Sequence, residues 1–104
     1  MSIAHYIAMS DETLTWSREK NLWLQKERGL SFEDVENAIE GGGFRDDIAH
    51  PDPKKFPGQR LLIVEIGEQI CVVPYVTDGR VRFLKTIYPS RKAKRIYGKA
   101  QNDE

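Results

Sequence analysis

The sequence predicts an α+β domain, and three observations lead there. Two amphipathic helical stretches come first, each closed by glycine. Three runs rich in Val, Ile, Leu, Tyr and Phe follow, separated by tight-turn dipeptides, and a short basic helix comes last. The expected architecture is two N-terminal helices packed on an antiparallel meander sheet of three or four strands, followed by the basic helix. With 104 residues, positions 1–104 make a single domain with one core.

Each element has a local reason. Residues 1–13, apolar from Ile3 to Met9 around His5, read as an arm or an edge strand. Trp16 and Trp23 recur at helical spacing with Lys20 between them. Thr15 or Ser17 caps that helix, and Gly29 suits the left-handed position after it. Ser31 caps a second helix, Glu33 and Asp34 favour its positive end, and Leu30 can staple to Val35. Phe32, Val35, Ala38 and Ile39 share one face, and Gly41, Gly42 and Gly43 stop the helix. Asp46-Asp47, Pro51, Pro53 and Pro57 then predict an extended loop that carries His50.

The three strand-like runs are Arg60 to Ile66, Gln69 to Val76 and Arg80 to Ile87. Gly67-Glu68 suits a two-residue II′ turn and Asp78-Gly79 a two-residue I′ turn. Pro74 lacks a ladder donor and is expected to break the middle strand. In this register one face collects Leu61, Ile63, Ile70, Val72, Val76, Val81, Phe83 and Ile87 as the core, with Glu65 and Lys85 paired across it. The other face mixes Leu62, Val64, Ile66, Cys71, Val73 and Leu84 with Tyr75, Arg82 and Thr86, and sets Tyr75 opposite Arg82. Pro89-Ser90 starts the last helix, which carries Arg91 to Gly98, and residues 99–104 form a frayed tail.

Charge is neutral overall but strongly segregated. Asp11 to Asp47 holds ten acids against five bases, while Arg80 to Lys99 holds eight bases and no acid. A one-signed field of this kind steers oppositely charged partners such as nucleic-acid phosphates. The start has no basic n-region with a long apolar stretch after it, and no apolar run reaches the roughly 20 residues of a bilayer span. The chain is therefore expected in the cytoplasm, away from membranes. Its one cysteine, Cys71, reads as a small buried hydrophobe in a reducing compartment, and Trp16 and Trp23 read as core.

Two histidines 45 positions apart and one cysteine give no metal signature, and Gly41-Gly42-Gly43 has no Gly-Lys-Ser/Thr after it, so neither metal nor another cofactor is expected. The remaining chemistry is cationic and aromatic. Arg82, Lys85, Arg91, Lys92 and Arg95 are interleaved with Tyr75, Tyr88 and Tyr97. Cations neutralise phosphates and tyrosines stack on unpaired bases, a mixture suited to RNA. Cleavage of RNA by its own 2′-hydroxyl needs a proton acceptor, a cation at phosphorus and a proton donor, roles that His, Arg, Lys and Tyr fill without metal. A basic terminal helix equally fits a non-catalytic module that docks an acidic protein or nucleic acid, and His50 equally fits a loop-pinning role.

Three strings carry a family resemblance: Trp16-Ser17-Arg18-Glu19-Lys20-Asn21, Gly29-Leu30-Ser31-Phe32-Glu33-Asp34-Val35 and Ile87-Tyr88-Pro89-Ser90-Arg91-Lys92-Ala93. In order and spacing, over roughly residues 14 to 98, they resemble the BrnT-like toxins of bacterial type II toxin-antitoxin systems. The resemblance implies a RelE-like fold and an endoribonuclease that stops growth, held inactive by a cognate antitoxin in a homo- or hetero-oligomer. It points to Arg91 and Lys92 of the Ser-Arg-Lys-Ala string and to His50 in the loop; with the charge pattern this gives Arg91 as the catalytic cation, His50 as acid or base, and Lys92, Arg82, Arg95 and the stacking Tyr75 as RNA-binding residues. Members usually carry an arginine where this chain has Thr86, and a glutamate after the Arg-Lys-Ala string where this chain runs Lys94-Arg95-Ile96-Tyr97. Arg82 lies four residues before Thr86, about 13 Å along a strand.

Overall fold

The computed structural model describes residues 13–98. The arm or edge strand expected at 1–13 falls outside these residues except for Thr13, and so does the tail at 99–104. The described chain runs β1 (Thr13–Trp16), α1 (Arg18–Arg28), α2 (Phe32–Glu40), β2 (Phe44–Ala49), β3 (Arg60–Ile66), β4 (Gln69–Asp78), β5 (Val81–Leu84), β6 (Tyr88–Pro89) and α3 (Arg91–Ala93). The last element runs on as a wider π-helical turn, Lys94–Gly98. This is the α+β class predicted, with a mixed sheet larger than the expected meander.

Local signals set the helix ends. The Ser17 hydroxyl accepts from the Lys20 N–H at 3.1 Å, and Gly29 takes the left-handed φ of 68° that closes α1. Ser31 and Asp34 form a reciprocal capping box that starts α2. Buried Asn21 ties the two helices together: its Oδ1 accepts from the Phe32 N–H at 2.7 Å and its Nδ2 donates to Glu33 at 2.8 Å. At Gly43 a Cβ would stand 2.7 Å from the Glu65 carbonyl oxygen, so only glycine lets the chain leave α2 and join the sheet this closely.

The sheet order is β1-β5-β4-β3-β2, with β6 also paired to β4. Two strands escaped the sequence reading. Thr13–Trp16 pairs in parallel with β5, and Phe44–Ala49, expected as loop, pairs antiparallel with β3 through a register shift at Phe44/Asp46. The third predicted run is interrupted: β5 stops at Leu84, and the chain re-enters the sheet only at Tyr88. Pro74 does not break β4. Its carbonyl accepts from the Lys85 N–H at 2.8 Å, so the missing N–H faces the gap where the neighbour of β4 changes from β5 to β6.

The turn between β4 and β5 is Gly79-Arg80, so Arg82 pairs with Thr77 and Tyr75 with Leu84. The shift is even and leaves the paired side chains of β4 and β5 on their expected faces, but it makes Arg82 diagonal to Tyr75. Which face is the main core is reversed. Leu62, Val64, Cys71, Val73 and Leu84 pack under α1 and α2 with Leu24, Phe32, Val35 and Ile39. Leu61, Ile63, Ile70 and Val72 make a smaller cluster under Ala93 of α3. Val81 and Phe83 on that second face stay exposed, and Ile87 turns into the main core where the strand breaks. Glu65 pairs with Arg45 of β2, not with Lys85, which is exposed. No helix among the described residues is long and apolar enough to cross a membrane.

Candidate nucleic-acid interface

Four strands bring one polar cluster together on the helix-side face. Asp47 sits opposite Leu62, Arg60 opposite Tyr75, and Arg82 opposite Thr77, so pleating puts Asp47, Arg60, Tyr75 and Arg82 on one side. The Tyr75 hydroxyl donates to Asp47 at 2.8 Å. Arg60 Nε donates to the same carboxylate at 3.0 Å, and Arg82 Nη2 lies 3.4 Å from its other oxygen. The Arg60 Nη2 also donates to the Asp47 carbonyl at 3.0 Å. One carboxylate thus positions two guanidinium groups, leaving the cluster with an excess positive charge.

The environment fixes the protonation states. Burial, and then the hydrogen bond to Asp47, push the Tyr75 hydroxyl up to about 12, so it stays a neutral donor. The Asp47 bond raises Arg60 further above its ordinary value. Tyr75 is 1% exposed and carries Arg82 at 4.8 Å over its ring. That contact and the burial leave no open ring face for a base, which corrects the stacking role expected of Tyr75. It anchors Arg82 instead.

On the opposite face the basic helix presents its cations in two directions. Ser90 caps it, accepting from the Ala93 N–H at 3.0 Å, and Ala93 is buried against the sheet. Arg91 and Lys94 rim a hollow of about 340 Å³ beside Glu68 and Gln69 of the β3–β4 hairpin. Lys92 lines a mostly apolar groove of about 370 Å³ with Tyr88, Tyr97, Leu61, Ile48 and Pro51. The Tyr97 hydroxyl donates to Asp46 at 2.8 Å, a bond that holds its pKa above the ordinary value and pins the helix to β2. Arg95 is exposed.

His50 leaves the end of β2 beside Pro51. Its Nδ1 accepts from the Asp52 N–H at 3.0 Å and its ring stacks on Phe56 at 4.4 Å, which places the proton of the neutral ring on Nε2. The structure therefore joins Tyr75 with Arg82 and sets the His50 loop beside the Lys92 groove. Arg91 faces the hairpin hollow, whose lining does not include His50.

Asp47 and Arg60 were not expected as site residues, because the strand β2 that brings Asp47 beside Arg60 was expected as loop. Trp23 was expected in the core. Trp16 does stack on Phe32 at 5.4 Å between centroids, but Trp23 is 42% exposed. Arg28 reaches from the end of α1 to the Ile87 carbonyl at 2.7 Å, with Thr86 Oγ1 at 3.5 Å, so a guanidinium stands at Thr86, in the gap between β5 and β6. Cys71 is buried, and burial pushes its thiol up to about 11, away from nucleophilic use at neutral pH. Searched against protein-family models, curated proteins and solved structures, the chain matches none of them.

Proposed function

We propose that this chain acts on RNA in the cytoplasm as the toxin of a type II toxin-antitoxin pair, a metal-independent endoribonuclease that its antitoxin silences. The observation that carries this reading is the segment from Arg80 to Arg95. It holds no acid, and Arg80, Lys85, Arg91, Lys92, Lys94 and Arg95 are all exposed. Exposed cations of one sign attract phosphates, and their attraction falls with salt.

In this account Arg91 is the cation that meets the scissile phosphate and His50, through Nε2, exchanges the proton. Lys92, Arg95 and the Arg60–Arg82 pair hold the flanking backbone. Arg82 is preset by Asp47 and Tyr75, so it binds at little further loss of side-chain freedom. Expressing the chain in bacterial cells tests the reading. Growth arrest with fragmented cellular RNA is the expected result, relieved by Arg91→Ala.

A second reading has its own support, that the hollow Arg91 rims is not lined by His50. A non-catalytic module would bind RNA or an acidic partner through the same cations, leave RNA intact and leave growth unchanged.

A further inference from the structure

Trp23 projects from α1, well away in sequence from the basic C-terminal segment, and is one of the most exposed large apolar side chains among the described residues. Two cations stand over its ring, the Lys20 ammonium at 4.3 Å and the Arg28 guanidinium at 5.0 Å. Lys20 and Trp23 are three residues apart, so the helix itself makes them neighbours. Arg28 is fixed differently. Its bond to the Ile87 carbonyl links this helix surface to the chain just before Tyr88 and the basic helix.

Trp23 is not part of the core cluster, against which Trp16 at the end of β1 already packs, and it leaves much of its indole in water. Such rings repay exposure at surfaces that bind. We propose that Trp23 is a stacking platform for an unpaired base of single-stranded RNA, with Lys20 and Arg28 on the phosphates to either side. This extends the RNA reading given above and rests on it.

Charge and chemistry favour nucleic acid over an acidic protein here. A base offers a π-face to the indole while its neighbouring phosphates offer the paired anions, and Lys20 and Arg28 stand at the ring, 4.3 and 5.0 Å from its centroid. An exposed ammonium–indole contact is weaker than base–indole stacking, so a base displaces Lys20 from the ring, and the freed ammonium turns to the backbone. The bond from Arg28 to the Ile87 carbonyl ties the platform to the chain that leads into the basic helix on the other face of the sheet.

The test is tryptophan fluorescence during titration with a 2′-O-methyl oligoadenylate of about 12 nucleotides, which cannot be cut by its own 2′-oxygen. The wild-type signal should be quenched. Trp23→Phe leaves Trp16 as the one remaining tryptophan, and the quench should disappear while binding persists. Trp23→Ala should weaken binding, read by anisotropy of a labelled oligonucleotide, about 5- to 150-fold, with the urea midpoint unchanged. Lys20→Ala should weaken it less.

Unaltered affinity in Trp23→Ala alongside loss of binding in Arg91→Ala/Lys92→Ala would overturn the platform while leaving the RNA reading standing. The patch would then fall to a protein partner. Failure of the wild-type chain to bind at low salt would overturn both.

Discussion

The Tyr75 hydroxyl lies 2.8 Å from each carboxylate oxygen of Asp47, so a central strand is tied to the sheet edge across β3. Arg60, on the strand between them, holds the same carboxylate. Edge strands with open backbone groups invite unwanted pairing, and here Asp46 accepts from the Asp47 N–H at 2.8 Å while Arg60 takes the Asp47 carbonyl. The cluster therefore satisfies the strand backbone at Asp47 as well as setting Arg82.

Tyr75→Phe should lower stability at neutral pH by about 1.5–3 kcal/mol, the range for a hydrogen bond to a charged group. Arg60 and Arg82 still satisfy Asp47, so the fold should persist. The pH dependence has a definite sign. A hydroxyl raised from its ordinary value near 10 to about 12 gives stability that is complete below about 10 and is lost as pH rises through about 12. Thermal melts of both proteins should show the wild-type advantage shrinking above about pH 10. A gap that stays constant or widens there would contradict the assigned donor.

Asn21→Ala should cost about 1–3 kcal/mol, because it leaves the buried Phe32 N–H without its acceptor at the start of α2. Asn21→Asp keeps an acceptor but sets a carboxylate against Glu33, so it should also destabilise. Urea midpoints of the three proteins measure this. Midpoints within error of one another would show that the helix pair is held by apolar packing alone.

Why some of this was legible in the sequence, and some not, follows from the range of each signal. Ser17, Ser31, Ser90 and Gly29 act within four residues, and each does in the structure what its spacing predicted. The Gly67-Glu68 turn is equally local, and β3 and β4 pair as expected. Phe44–Ala49 was hidden because its two aspartates look solvated. Asp47 is in fact neutralised by Arg60 from the next strand and Arg82 from two strands beyond that one, contacts no local pattern carries. The core face was misassigned for the same reason. Tyr75 and Arg82 made it look polar, and both are satisfied by Asp47. Trp23 shows the converse, since helical spacing says which residues share a face but not which face is covered.

Arg91→Ala and Lys92→Ala should each reduce the slope of log affinity for single-stranded RNA against log salt by about 0.7, the loss of one phosphate contact. Both side chains are exposed on a helix whose buried contact is Ala93, so melting temperatures should not move. Slopes identical to wild type would remove the basic helix from the RNA surface.

Incubation of the purified chain with end-labelled cellular RNA in the presence of a metal chelator tests the account most directly. Discrete fragments ending in 2′,3′-cyclic phosphate, absent with Arg91→Ala and reduced with His50→Ala, are the predicted result. RNA left intact by a folded protein that binds it would contradict the proposed catalysis and leave a binding module in its place.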